Sequence, residues 1–361
     1  MTKVLLGDVV QINPSTKVSK GQSVKFISMD KLDPFTKIPN GYEKRKFSAG
    51  TKFTNGDTLL ARITPCLENG KTAFVDFLDD LEVAAGSTEF IILRNIEGLT
   101  DSGYIYYLSI SPAFRDYAIK SMVGTSGRQR VQNDVLAKME LNLPSIDQQK
   151  KIANILGSLD EKIELNRRMN ETLEQLGQAL FRHYFVDKAR QRNGNIQTIP
   201  LGKKFHPKRG KSLQSKNMID GNIPVISGGL KPAGFHNEAN TTAPVITISA
   251  SGANAGFISV WGEPVWSADS SYIDSTITKY VYTYYLFLKN KQKEIYDMQT
   301  GSGQPHIYPK HIELLEIADL SDCEFNDFEQ RVRPFFDMIH ENKKQIDYLS
   351  NIRDLLLPKL I

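Results

Sequence analysis

The chain has 361 residues, 40% of them hydrophobic and 24% charged, enough for two ordinary domains and too balanced for wholesale disorder. Its longest aromatic–aliphatic run, 281–288, falls far short of the roughly 20 apolar residues of a membrane helix, and the opening MTKVLLGDVVQ reaches Asp8 before an apolar core forms, unlike a secretory leader. Two cysteines, Cys66 and Cys323, and six histidines without ligand spacing give neither a disulfide framework nor a zinc site, so a cytoplasmic protein without a metal is expected.

From the N-terminus, residues 1–145 show short β-like runs at Val24–Met29, Thr58–Ile63, Thr72–Phe77 and Glu89–Leu93, followed by a tyrosine-rich amphipathic segment near Tyr104–Met122. Ser145 followed by Gln148 is a capping box that starts a long helix, expected to reach about Asp187 before Asn193-Gly194 turns the chain. Residues 191–325 repeat the pattern, with runs at Pro224–Ser227, Val245–Ser249, Phe257–Trp261 and Ser271–Ile273 and a second tyrosine-rich segment, Tyr280–Met298. Asn326 followed by Glu329 reads as the box of a second long helix, which Pro358 ends at the terminus. The expected divisions are a first domain at 1–145, a central helix at 146–190, a second domain at 191–325 and a C-terminal helix at 326–361.

Sliding the chain on itself by 176 residues pairs 104–185 with 280–361 without a gap, 12 of the 82 pairs being identical. Ile152, Leu159, Asn166, Leu173 and Leu180 recur every seven residues, and the shift carries them to Phe328, Phe335, Asn342, Leu349 and Leu356. A sustained heptad marks a helix that buries a narrow stripe against another helix. Asn166 and Asn342 are both central; in an antiparallel pair their amides can meet and penalise slipped registers, with Leu159, Leu173, Phe335 and Leu349 flanking them. The alternative is two unrelated surface asparagines. The expected fold is α+β: two globular α/β domains separated by two long helices paired as an antiparallel coiled coil, pseudo-twofold. The stripe from 152 to 180 would be about 42 Å long, a little over the 34–36 Å of one turn of B-DNA.

Nine basic side chains and no acid lie between Lys188 and Ile219, among them Arg190, Arg192, Lys208, Arg209 and Lys211; such runs suit phosphate backbones, although many are only solvated surface. Loops with groove-reading chemistry are 59–71 (Arg62, Thr64, Asn69, Lys71), 85–94 (Ser87, Thr88, beside Glu89) and the glycine-rich 246–261 (Ser249, Ser251, Asn254). Arg and Asn offer bidentate edges to guanine and adenine, and glycine lets a backbone approach closely; each such loop could equally be a plain hairpin. The segments GTSGRQRV (124–131) and TGSGQPHIYPKHI (300–312) coincide under the 176 shift, aligning Ser126-Gly127 with Ser302-Gly303 and offering Arg128, Gln129 and Arg130 against Gln304 and His306.

LPSIDQQKKIANILGSLDEKIELNR (143–167), LLLPKL (355–360), LLARITPCLENGK, AGSTEFIILR, GTSGRQRV, IPVISGG (223–229), AGFHNEAN (233–240) and ITISASGANAGFISVW together span essentially the whole chain. In that combination it resembles the specificity subunit of type I restriction–modification systems. The resemblance implies two target recognition domains, each reading one half of a split double-stranded DNA site across a spacer set by the helices. It also implies assembly with two methyltransferase subunits and with translocating endonuclease subunits. S-adenosylmethionine, ATP and magnesium are then expected on those partners and no cofactor in this chain. Members often carry a short polar extension after the proline motif, whereas this chain stops at Ile361.

Two other functional classes have partial sequence signals. A DNA adenine methyltransferase would show an Asn-Pro-Pro-aromatic motif, but Asn13-Pro14 continues into Ser15-Thr16 and Asp33-Pro34-Phe35 lacks the second proline. Glu341-Asn342-Lys343, a conceivable nuclease fragment, falls inside a predicted helix, and His236-Asn237 reads as a hydrogen-bonded loop. A coiled-coil scaffold that binds only proteins is the other alternative; DNA binding that weakens steeply with salt discriminates against it.

Overall fold

A computed structural model describes residues 2–125, 127–187, 197–301 and 303–361. Lys188, Arg190, Arg192, the Asn193-Gly194 turn, Ser126 and Ser302 lie outside them. The chain divides into two compact units, one of residues up to Leu165 with Gln345–Ile361, the other of Asn166–Lys344.

In the first unit, strands Val10–Ile12, Phe90–Asn95, Thr58–Ala61 and Thr72–Phe74 form an antiparallel sheet in that spatial order. A second sheet runs Glu43–Lys46, Ser23–Ile27, Ala84–Gly86, Thr51–Phe53, with Ser23–Ile27 parallel to Ala84–Gly86. Thr2–Leu5 pairs with Glu140–Leu143. Leu60, Ile91 and Leu93 pack against Tyr104, Ile105 and Leu108 of helix Ser102–Ile110, which Asp101 caps by accepting from the Tyr104 N–H at 2.9 Å.

The second unit repeats this plan. Strands Lys208–Arg209, Ser270–Asp274, Val245–Ser249 and Ile258–Trp261 form the four-stranded sheet; Gly234–His236, Ile223–Ile226 and Trp266–Ser267 form a three-stranded one; Thr198–Pro200 pairs with Glu316–Ala318. Ile246, Ile248 and Ile273 pack against Val281, Tyr285 and Leu288 of helix Val281–Asn290. The eight β-like runs of the sequence are all strands, within a few residues at either end. His236 is hydrogen-bonded as expected, its Nδ1 accepting from the Ile219 N–H at 3.0 Å.

The two long helices are Ile146–Phe181, continued by a π-helical turn Arg182–Asp187, and Asp322–Leu360. Ser145 and Gln148 make the expected box, the Ser145 N–H donating to Gln148 at 3.2 Å and the Gln148 N–H to Ser145 at 3.4 Å. The second box is not Asn326–Glu329. Ser321 and Glu324 form it five residues earlier in the chain, with the Ser321 N–H donating to Glu324 at 3.0 Å, and Ser321 is the counterpart of Ser145 under the 176 shift. Glu329 is recruited elsewhere: its carboxylate, 3% exposed, accepts from the Tyr282 and Thr283 N–H groups and so caps Val281–Asn290. Burial raises its pKa, against the hydrogen bonds from Thr283 and Tyr282. The helix continues past Pro358 to Leu360, since proline withholds one donor and little helix follows.

Within each unit the long helices run antiparallel. In the first, Asp160 pairs with Arg353 at 2.8 Å, and Leu156 clusters with Leu357, Leu360 and Ile361. In the second, Asn170 meets Asn342 and the rings of Phe181 and Phe328 lie 5.9 Å apart. The buried arc is wider than a heptad stripe. Leu156, Ile163, Val332, Phe336 and Ile339 are fully buried, whereas the predicted stripe residues Ile152, Leu159, Leu173, Leu180, Phe335, Leu349 and Leu356 are half-buried. Each helix packs on a domain as well as on its partner, which broadens the apolar face. Asn166 and Asn342 are both buried, and Asn342 Nδ2 donates to Oδ1 of Asn170, one turn beyond Asn166, at 2.9 Å.

Candidate nucleic-acid interface

Three of the loops chosen on composition converge in the first unit. The sheet edge brings them together through backbone pairing: the Arg62 N–H donates to the Glu89 carbonyl at 2.9 Å, the Val131 N–H to the Arg62 carbonyl at 2.9 Å, and the Thr64 N–H to the Gln129 carbonyl at 3.0 Å. Arg130 bridges to both Ile63 and Val123. Its Nε and Nη2 grip the Glu89 carboxylate at 2.7–3.1 Å. This grip holds the Glu89 pKa below the usual carboxylate range, against the effect of burial. A paired, oriented guanidinium beside a carboxylate suits a base edge better than a phosphate, which the carboxylate repels.

The remaining first-unit candidates divide by what they touch. Asn69, Thr88 and Arg128 are exposed. Half-buried Arg62 reaches the Val131 carbonyl at 3.4 Å. Thr64 donates to Glu68 at 2.9 Å, and Ser87 accepts from the Glu89 N–H at 3.1 Å. Lys71 turns inward and donates to the Met29 carbonyl at 2.9 Å, so its ammonium braces the loop. One further basic feature escaped the sequence reading: Lys44, Arg45 and Lys46 on the fully exposed edge strand Glu43–Lys46. Its signal, EKRK, looks like any solvated strand.

The second unit builds the same junction from different side chains. The Ala250 N–H donates to the Asp269 carbonyl at 3.1 Å, the Ile307 N–H to Ala250 at 2.9 Å, and the Gly252 N–H to Pro305 at 3.1 Å, while His306 bridges Ser251 and Thr300. Backbone for backbone, Ala250 stands where Arg62 stands, Asp269 where Glu89 stands, and His306 where Arg130 stands. Asp269 is the hub, accepting from Ser251 and pairing with Arg209 at 2.6 Å. The His306 ring lies over Tyr308, 5.9 Å between centroids and 17° from parallel. Lys208, Lys211 and Gln304 are exposed and Asn254 is half-buried in the glycine turn. Ser249, 4% exposed, belongs to the interior instead. Neither Asp269 nor Tyr308 was singled out from sequence, since a loop acid and a loop tyrosine carry no distinguishing pattern.

Among the described residues, no cluster of His, Cys, Asp and Glu is placed to hold a metal ion, and no helix is long and apolar enough to cross a membrane.

Comparison with known proteins follows the same line. Residues 1–175 match the family described as the type I restriction modification DNA specificity domain. The specificity subunit of the type I restriction enzyme HindI from Haemophilus influenzae is 36% identical over 133 residues, 37% of this chain and 28% of that protein. The MjaIX specificity subunit of Methanocaldococcus jannaschii is 25% identical over 295 residues, 72% of this chain and 68% of that protein. The crystal structure of a type I restriction–modification S subunit from M. genitalium covers 100% of this chain and 96% of its own, with a TM-score of 0.59 at 21% identity, a shared fold. The matched specificity domain over residues 1–175, the doubled α+β plan and its paired long helices together make the chain similar to the specificity subunits of type I restriction–modification systems.

Proposed function

We propose that this chain is the non-catalytic subunit that addresses a type I restriction–modification complex to a bipartite DNA site. Each loop junction reads one half-site, the helix pair sets the unread spacer, and the outer helix faces dock two methyltransferase subunits. Those subunits would carry S-adenosylmethionine and flip the target adenine, and endonuclease subunits would bring ATP and magnesium chemistry.

The observation that carries this reading is the recurrence of one three-loop backbone junction in both units, lined by different side chains. Shared backbone bonds give a common way of presenting loops, and different side chains give different bases. Arg128, Gln129, Arg130 and Asn69 would serve one half; Gln304, His306, Ser251 and Asn254 the other. Arg62, Thr64, Ser87 and Thr88 flank the first set, Lys208 and Lys211 hold phosphates beside the second, and Arg209, paired with Asp269, joins the second set at the base edge.

Inserting four residues, about one helical turn, near Arg168 tests the spacer role. Mapping of methylated sites is expected to show a longer spacer between two unchanged half-sites. An unchanged spacer would remove the helices from that role.

A further inference from the structure

Behind the Thr64–Lys71 turn lies a set of contacts that the reading of half-sites leaves unused. Phe35 has φ +55°, a left-handed backbone that bulky side chains seldom adopt, and it is 41% exposed. Core burial therefore does not explain it. Its N–H donates to the Gly70 carbonyl at 3.0 Å, and its ring lies so close over Gly70 that a Cβ there would sit 2.6 Å from it. The Arg115 guanidinium stands 4.7 Å from the same ring and donates to the Leu67 and Glu68 carbonyls at 3.2 and 2.9 Å. The Phe35 carbonyl accepts from Arg353 Nη1 at 3.2 Å, and that atom also donates to Asp160 at 2.8 Å. Asp160 in turn accepts from the Tyr107 hydroxyl at 2.7 Å. An outlying backbone persists only where its surroundings over-determine it, and here they tie the turn to the salt bridge of the long helices.

We propose that Phe35, held by Arg353 and Arg115, is a positioning residue that fixes how the Thr64–Lys71 turn presents Asn69, and hence the stringency of the half-site read by the first unit. The proposal rests on the reading of that turn as part of the interface. A side chain that reads a base edge must be held to within a fraction of an ångström, and a surface turn without such a brace is mobile.

The test is methylation mapping in cells carrying the complete system, with Asn69→Ala, Phe35→Ala, Phe35→Leu and Phe35→Tyr compared with the parent and melting temperatures taken in parallel. Phe35→Ala is expected to relax the half-site that Asn69→Ala relaxes, raising methylation at single-base variants about tenfold while the other half keeps its stringency. Phe35→Leu relaxes it less, and Phe35→Tyr, which keeps the ring, restores it. If Asn69→Ala relaxes a half-site and neither Phe35→Ala nor Phe35→Leu does, the brace is refuted and the interface stands. If Asn69→Ala changes neither half, the role of the turn itself is refuted. Uniform loss at both halves together with a lowered melting temperature in all three Phe35 variants marks a purely structural residue and also overturns the proposal.

Discussion

Arg353→Ala is expected to destabilise the first unit by about 3–5 kcal/mol. Arg353 is 4% exposed and Asp160 is 5% exposed, and they pair at 2.8 Å on facing long helices. Burial penalises the Arg353 charge, but Asp160 and Asp354 outweigh it, so its pKa is raised and the guanidinium stays charged. Truncation leaves the Asp160 carboxylate buried, with the Tyr107 hydroxyl as its remaining hydrogen-bond donor. The loss comes from stranding that charge; the pair itself contributes little net energy once its desolvation is counted. The double replacement Asp160→Leu with Arg353→Met is therefore expected to recover most of the stability. Denaturant unfolding of the three variants checks both statements. A single-variant loss below about 1 kcal/mol, the range of exposed ion pairs, would mean the site is wetter than its geometry indicates.

Phe328→Ala is expected to cost the second unit a comparable about 3–5 kcal/mol. Phe328 is 2% exposed, with ring centroids of Phe185, Tyr184 and Phe181 at 4.9, 5.7 and 5.9 Å. These rings join the end of the first long helix to the start of the second. Alanine opens a void among large, mutually constrained rings that cannot collapse into it. Phe328→Leu, which fills part of the space, is expected to lose less than half as much. Thermal unfolding followed by tyrosine and tryptophan signals ranks the variants; equal stability of parent and Phe328→Ala would contradict this packing.

How much of this was legible in the sequence follows from the range of each signal. Val245–Ser249 was read to the residue, because its apolar run and the turns around it are local. The Ser145–Gln148 box was also local. Asn326–Glu329 had the same spacing, yet Glu329 caps a helix more than forty residues earlier in the chain, and only tertiary structure selects Ser321–Glu324 over it. The heptad identified the right helices and the buried Asn166 and Phe328 but missed Leu156 and Ile163, equally buried, because it assumed one neighbour where there are two. The repeat was detected from Tyr104 onward and faded upstream. The junction explains why: Arg130 and His306 keep the 176 offset, but Glu89 corresponds to Asp269 and Arg62 to Ala250, offsets of 180 and 188. Insertions between strands broke the sequence register and spared the backbone pairing.

Composition picked out loops that the fold brings together, and only some of their side chains lie at the junction. Arg62, Thr64, Gln129 and Arg130 come together, while Lys71 and Ser249 point away from the surface. A lysine or serine on a loop has no sequence feature that says whether its polar end meets solvent or a backbone carbonyl.

The most direct test of the account replaces Arg128 and Gln129 by alanine in one variant and Gln304 and His306 in another, and maps methylated sites genome-wide for each assembled complex. The account predicts that each variant degrades the preference at one half-site, that the two affect opposite halves, and that the spacer keeps its length. Both variants degrading the same half, or sites without a two-part structure, would contradict it.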